Sequence, residues 1–319
     1  MTDKSRIIAA DAAAIAEAVA VLRAGGIAAV PTETVYGLAA RASDAAAVAR
    51  IYAAKGRPSF NPLIVHVSGV KQARALVEID AVAERLMAAF WPGGLTLVLP
   101  LRAGADVAPL VTAGLPTLAV RCPAHPVMQA LIAGAGPLAA PSANASGRIS
   151  STTADHVAAT LAGRVGLILD GGASAAGVES TIVAVDAEGV RVLRLGAVAV
   201  EDIVGVVSEL ETPALLAQAG GGSPIVAPGM MASHYAPVQP VRLGAVAARA
   251  DEFLIGFGAV AGDVTLSVAG DLVEAAARLF AVLHIAEASG RAGIAVAPVP
   301  GLGLGAAIND RLRRAAAPR

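Results

Sequence analysis

The sequence predicts an α/β protein of two domains. Short apolar runs at residues 26–30, 63–67 and 165–169 alternate with longer amphipathic stretches, the pattern of strands laid against helices. Hydrophobic residues make up 56% of the chain and charged ones 15%, ample for a core and remote from a disordered composition. Between about residues 210 and 240 the alternation breaks into Ala219-Gly220-Gly221-Gly222-Ser223-Pro224 and Ala227-Pro228-Gly229, then resumes. The 319 residues thus divide into a domain over 8–205, a linker over 206–240 and a smaller α/β domain over 241–319.

Taken in order, residues 8–24 read as a helix stopped by Gly25-Gly26, followed by a buried strand at 26–30. That strand runs into Pro31-Thr32-Glu33-Thr34-Val35-Tyr36-Gly37-Leu38, a polar cluster of the kind that builds sites at strand ends. Ser43-Asp44 caps a helix carrying Val48, Ile51, Tyr52 and Lys55 on one face, which Gly56 and Pro58 end. A strand at 63–67 holds His66, and a helix at 79–90 leads through Trp91-Pro92-Gly93-Gly94 into a strand at 95–99. Further strands are expected at 117–121, 137–140, 165–169, 182–185 and 190–195. Thr152 with Asp155 resembles a capping box for a helix at 153–162. In the second domain the pattern gives strands at 253–257, 264–268 and 294–299, a helix at 271–288, and a last helix from Gly305 ending in Arg311, Arg313 and Arg314.

Composition narrows the function. Mean hydropathy is +0.67, yet no run of about 18 apolar residues free of charge or Gly/Pro punctuation occurs. Asp11, Glu17 and Arg23 interrupt the N-terminal alanine-rich segment, which reads as an amphipathic helix and not as a signal peptide. A cytoplasmic protein without a membrane partner is expected. Cys122 is the one cysteine, so neither an intrachain disulfide nor a thiolate metal cluster is available. The net charge of −1 supplies no global field for nucleic acid.

Six strands carry or end on a polar residue that a core does not accommodate: Thr34, His66, Arg121, Ser142, Ser180 and Arg194. Strands of one sheet that place such groups near a common edge line a single cleft. Lys55-Gly56-Arg57-Pro58 fits two readings, compensation of a helix dipole and a rigid grip on phosphate oxygens. Familiar alternatives are missing. There is no Gly-x-Ser-x-Gly elbow, no His-Glu-x-x-His and no Walker phosphate loop. Gly301-Leu302-Gly303-Leu304-Gly305 lacks the dinucleotide spacing, since Ala306 stands where its third glycine is needed.

The stretches 31–38, Lys55-Gly56-Arg57-Pro58, Asn61-Pro62-Leu63-Ile64-Val65-His66, Trp91-Pro92-Gly93, Ala140-Pro141-Ser142-Ala143-Asn144 and Gly177-Val178-Glu179-Ser180-Thr181 occur together and in order. Over residues 8–205 the chain thereby resembles threonylcarbamoyl-AMP synthase, the YrdC-like family. His234-Tyr235-Ala236-Pro237 and Ala307-Ile308-Asn309-Asp310-Arg311-Leu312 resemble its long, two-domain form. The resemblance implies a twisted open sheet with a large cleft, plus a smaller Rossmann-like C-terminal domain. It also implies synthesis of threonylcarbamoyl-AMP and pyrophosphate from L-threonine, bicarbonate and ATP with Mg²⁺. The product would pass to a tRNA threonylcarbamoyl transferase complex for tRNA adenosine modification, with tRNA itself a possible contact.

Carried over by motif, Thr34, His66, Arg121, Ser142 and Ser180 are expected around threonine, with Thr117 as a further wall residue. Lys55, Arg57, Asn61, Asn144, Ser150 and Arg194 are expected around ATP, Lys55 and Arg57 neutralising charge during catalysis, and Tyr235 as a cover brought over by the linker. Ala39 and Ile149 depart from the usual family residues at positions without ligand-binding side chains, and Met230-Met231-Ala232-Ser233 is a variable stretch. Rival readings are an RNA-binding module of the same fold and a carbamoyl transferase using carbamoyl phosphate. The net charge opposes the first, and the missing zinc-finger cysteines and acylphosphatase segment oppose the second.

Overall fold

A computed structural model describes residues 5–161, 163–186, 189–207 and 233–318. The glycine- and proline-rich linker segments and Met230 to Ala232 lie outside the described residues. The first domain contains strands β1 (Arg6–Ala9), β2 (Ala28–Val30), β3 (Gly37–Arg41), β4 (Ile64–His66), β5 (Leu95–Pro100), β6 (Thr117–Arg121), β7 (Leu138–Ala139), β8 (Leu167–Asp170), β9 (Thr181–Asp186) and β10 (Gly189–Arg194). They form one 10-stranded mixed sheet in the order β1-β8-β2-β3-β7-β4-β6-β5-β9-β10.

Helices α1 (Ala12–Arg23), α2 (Ala45–Lys55), α3 (Val70–Ala73), α4 (Ala81–Phe90), α5 (Pro109–Thr112), α6 (Pro126–Ala135), α7 (Ala154–Leu161) and α8 (Val200–Val204) accompany the sheet. Three of them start in the same way. The carboxylates of Asp11, Asp44 and Asp80 accept from the backbone N–H of Ala14, Ala47 and Ala83, satisfying donors that the first helical turn leaves open. Gly56, at φ 63°, closes α2 in the left-handed conformation and frees Arg57 to turn away from the helix.

The helix expected over 8–24 is shorter at its start. Its first residues are the edge strand β1, paired in parallel with β8 through Ile7–Ile168 and Ile8–Leu169. A four-residue edge strand has no local signal strong enough to show. Helix α6 also escaped the pattern: it is apolar on nearly every side, with His125 as N-cap and Pro126 at its first position, so no amphipathic period marks it. At α7, Thr153 accepts from the His156 N–H, so the capping residue is one position later than the expected Thr152.

Strand alternation explains where the cleft lies. Leu63, Val65, Leu95, Leu97, Leu99, Leu118, Val120 and Val183 point to one face and join the main helix-covered core. The opposite face of the same strands carries a small apolar group, Ile64, Val98, Ala119, Ile182 and Ala184. Polar residues two positions along from these therefore share that second face.

The second domain has strands β11 (Val241–Leu243), β12 (Glu252–Gly256), β13 (Val264–Thr265) and β14 (Gly293–Val296) with helices α9 (Leu272–Ala288) and α10 (Leu304–Ala315). Its sheet is parallel, in the order β11-β14-β12-β13. Phe253, Ile255, Leu279, Phe280, Leu283 and Ile308 form its core, and Val35, Ile149, Val178 and Tyr235 of the preceding chain belong to the same cluster. At that seam Gly177 (φ +67°) lies so close to α9 that an added Cβ would sit 2.3 Å from the Ala276 carbonyl oxygen. The domains thus meet directly behind the loop 31–36 and the stretch 177–181.

Candidate active site

One row of cross-strand partners builds the floor. His66 stands opposite Arg121, Arg121 opposite Thr96, Thr96 opposite Ile182, and Ile182 opposite Arg194. Residues directly opposite one another share a face, so a histidine, two arginines and a threonine are aligned beyond the apolar group on the uncovered side. Loops from the neighbouring strand ends close the walls. The resulting cleft encloses about 550 Å³, open solvent included, and its lining includes Thr34, Arg57, Ser142, Glu179, Ser180 and Tyr235.

The loop after β2 is shaped by its own side chains. Thr32 Oγ1 accepts from the N–H of Thr34 and Val35 and donates to the Val35 carbonyl at 2.6 Å, a hydroxyl-built turn. Tyr36 leaves the loop, its hydroxyl donating to the Gly172 carbonyl at 2.8 Å. Burial pushes that hydroxyl up to about 12, so it remains a neutral donor. The turn aims Thr34 Oγ1 at Arg121, which donates to it from Nη1 at 2.8 Å. Arg121 Nη2 donates to Glu33 Oε1 at 2.6 Å and Nε to the Gly93 carbonyl at 3.0 Å. Burial would raise the Glu33 carboxyl, but the Arg121 charge and hydrogen bonds outweigh it and hold it low. This pair leaves a fixed guanidinium with N–H groups unused among the described residues at the cleft.

His66 is 3% exposed and its Nδ1 has no hydrogen-bond partner among the described residues. Burial, reinforced by the Arg121 charge, pushes the imidazole down to about 3, so the ring is neutral at physiological pH. Ser180 Oγ lies 2.7 Å from Thr96 Oγ1 and accepts from Arg194 Nη2 at 3.0 Å. Arg194 also grips the Ser180 carbonyl through Nε at 3.1 Å and Nη2 at 2.9 Å.

Arg57 is anchored by Asn61 and Pro62. Its Nε donates to Asn61 O at 3.1 Å, and its Nη2 to Asn61 Oδ1 at 2.6 Å and Pro62 O at 2.8 Å. Asn61, expected at ATP, is therefore placed as the orienter of Arg57, itself braced by the Tyr52 hydroxyl at 3.0 Å from its carbonyl. Lys55 does not line the cleft. It is 3% exposed, and Nζ donates to the Ser142 and Asn144 carbonyls, each at 2.5 Å, so two of its three donors hold the loop 142–144. Burial and then the Arg57 charge depress this ammonium well below the ordinary lysine range. Asn144 likewise turns inward, Nδ2 donating to Ala145 O and Arg148 O at 2.9 Å, with Oδ1 buried and unpartnered among the described residues.

The Ser150 hydroxyl, expected at ATP, donates to Glu179 Oε1 at 2.5 Å. Thr117 lies at the start of β6 opposite Pro100, four residues before Arg121 and so roughly 13 Å along the strand from the cleft. Tyr235 is 1% exposed at φ 61° and lines the cleft beside His234. Sequence reasoning missed Glu33 as the partner of Arg121, Thr96 as the partner of Ser180, and Glu179 on the cleft wall. The charge of Glu33, one residue before Thr34, was the only local sign of any of these.

His66 and His234 give an acid sensitivity that can be measured. Burial first, and neighbouring cations second, hold both imidazoles at about 3, against 6.5 for the free group. Between those values the unfolded chain binds more protons than the folded one, so stability rises with pH and is lost on acidification. Stability should be steady above pH 7 and fall by about 2 kcal/mol per buried histidine at pH 5. Chemical denaturation followed at pH 7.5, 6 and 5 checks this, and a flat profile would contradict the neutral, buried assignment.

A family model covering the Sua5, YciO and YrdC proteins, described as "Telomere recombination", matches residues 20–196. A second, described as "Threonylcarbamoyl-AMP synthase, C-terminal domain", matches residues 198–317. The chain is 46% identical to the threonylcarbamoyl-AMP synthase of Bacillus subtilis over 231 residues, 72% of this chain and 66% of that one. It is 40% identical to the Pyrococcus abyssi protein of the same name over 316 residues, 92% of this chain and 91% of that one. The crystal structure of P. abyssi Sua5 complexed with L-threonine superposes with a TM-score of 0.85 over 95% of this chain and 94% of that chain, at 38% identity.

Proposed function

Because the chain belongs to the threonylcarbamoyl-AMP synthase family, we propose that its cleft joins L-threonine, bicarbonate and ATP into threonylcarbamoyl-AMP and pyrophosphate, a nucleotidyl transfer. One observation carries this reading: a single cleft is lined by Arg57, Arg121 and Arg194, in a chain superposable over 95% of its length on a threonine-bound relative.

In this reading the Arg121 end takes threonine. Its free N–H groups pair with the substrate carboxylate, while Thr34, Ser142 and Ser180 offer hydroxyls to the amine and side chain. His66 orients and does not deprotonate, since a conjugate acid near 3 is far too weakly basic to take the proton of an ammonium. The free amine captures CO2 with loss of a proton, or bicarbonate with loss of water, as a carbamate, whose oxygen attacks the α-phosphorus in line as pyrophosphate leaves. Arg57 and Arg194 face the triphosphate and offset the charge that develops on it. Lys55 and Asn144 act on this chemistry by fixing the loop that presents Ser142.

No group of three or more His, Cys, Asp or Glu suited to a metal exists among the described residues. Both oxygens of Glu179 are already bonded. This donor set fits Mg²⁺ carried on the triphosphate and its waters, where it supplies charge neutralisation. Tyr235 and His234 cover the cleft and exclude water from a hydrolytically fragile acyl phosphate. The product is handed to a tRNA threonylcarbamoyl transferase complex in the cytoplasm. Among the described residues no helix is long and apolar enough to cross a membrane.

The test is pyrophosphate release from ATP with threonine and bicarbonate each omitted in turn. Release should depend on both, with threonylcarbamoyl-AMP detected by mass spectrometry. Release indifferent to threonine would defeat the proposal, and carbamoyl-phosphate dependence would favour the rival transferase.

A further inference from the structure

Arg311 heads the largest fully buried side chains, at 0% exposure, and it comes from the C-terminal domain. Its hydrogen bonds nevertheless reach the first domain. Nε donates to Glu179 Oε2 and Nη2 to the Leu195 carbonyl, both at 2.8 Å, while Nη1 donates to its helix neighbour Asp310 at 2.8 Å. The guanidinium carbon lies 5.0 Å from the centroid of the Tyr235 ring, a cation–π arrangement. One turn on, the Arg314 carbonyl accepts from the His234 N–H at 3.2 Å. Helix α10 therefore holds a carboxylate of the cleft wall and the cover of the cleft at once.

A buried ion pair is a poor device for stability alone, because desolvation cancels much of its attraction and an apolar pair serves as well. Its chemistry here is specific. Glu179 lines the cleft together with Arg57 and Arg194, the two cations assigned to the triphosphate. A carboxylate on that wall repels phosphate oxygens and competes for the same cations unless another charge engages it. Ser150 takes one oxygen and Arg311 the other. The Asp310 carboxylate, which faces Arg311 and also Arg314, keeps α10 itself from carrying excess positive charge at the seam.

We propose that Arg311 is a positioning residue of the nucleotide half of the cleft: it neutralises Glu179, so that the C-terminal domain completes the ATP site. This rests on the functional reading above. It also gives a role to a fully buried cation at a seam where the Arg148–Glu287 ion pair is part-exposed.

The test compares Arg311→Met with Arg311→Met/Glu179→Gln, which removes both charges at similar volume, in the full-length chain. ATP affinity is read by calorimetry and substrate KM values by pyrophosphate release. The single variant should weaken ATP binding and raise its KM by about tenfold or more while the threonine KM moves less than about twofold, and the double variant should recover ATP affinity to within about threefold of wild type. Unchanged ATP affinity in the single variant, an equal rise in both KM values, or no recovery in the double variant would overturn the assignment. If the single variant fails to fold, the double variant decides, and ATP affinity more than tenfold below wild type counts against it. A wild-type chain that binds ATP yet releases no threonine-dependent pyrophosphate would defeat the proposed reaction and leave the calorimetric comparison standing.

Discussion

Replacing Arg121 by alanine should raise the threonine KM about 100-fold or more while leaving the ATP KM within a few-fold of wild type. The lost interaction with the substrate carboxylate is a charge-assisted pair, and two such bonds contribute about 3 kcal/mol or more together. A second effect acts in the same direction. Arg121 is 3% exposed and neutralises Glu33 across a 2.6 Å contact. Without it the part-buried Glu33 carboxylate faces the place where the substrate carboxylate must sit. Truncating one partner of such a pair costs about 3–5 kcal/mol in stability, so the kinetics belong well below the variant's thermal transition. Adding Glu33→Gln should restore part of the stability and little of the threonine affinity, because it removes the stranded charge without replacing the lost donor. Steady-state pyrophosphate release with each substrate varied in turn separates the two. A threonine KM that stays at the wild-type value would remove Arg121 from the substrate site.

His66, Arg121 and Arg194 were legible because each violates a rule that holds for core strands, whereas Thr34, Ser142 and Ser180 lie in loops next to strand ends. His66 inside a run of Ile and Val is such a violation, and the register shows its cause, since it stands beside Arg121 on the uncovered face. What each residue bonds to was not legible. Glu33 and Arg121 are 88 positions apart, and Glu179 and Arg311 are 132 apart. No periodicity reports pairings at such separations. Lys55 and Asn144 belong to the same problem. A lysine at a helix C-terminus reads as dipole compensation or as a phosphate ligand, and neither reading reveals that its ammonium donates to the carbonyls of Ser142 and Asn144. The fold errors have local causes. Helix α6 carries apolar residues on nearly every side, so it has no polar face to detect, and β1 exists because β8 is there to pair with it.

Arg57→Ala should act on the other half of the cleft, raising the ATP KM about 30-fold or more and leaving the threonine KM nearly unchanged. The reasoning starts from how the side chain is held. Gly56 turns the chain out of α2 in a left-handed conformation, and Asn61 and Pro62 then fix the guanidinium through three bonds. A cation so restrained loses little further rotamer freedom when phosphate oxygens arrive, which makes each contact worth more than that of a mobile lysine. Asn61→Ala gives the graded control. It removes the 2.6 Å side-chain anchor and leaves the two carbonyl acceptors in place, so the ATP KM should rise by less, about 5- to 10-fold, with threonine again unaffected. Arg57→Lys should not rescue, because an ammonium cannot reproduce the three-point anchoring that points the planar group at the cleft. If Arg57→Ala raised the threonine KM and spared ATP, the two ends of the cleft would have to be exchanged. The assignment of Glu179 and Arg311 to the nucleotide half would then fail with it, since Glu179 lines the cleft with Arg57 and Arg311 acts through Glu179.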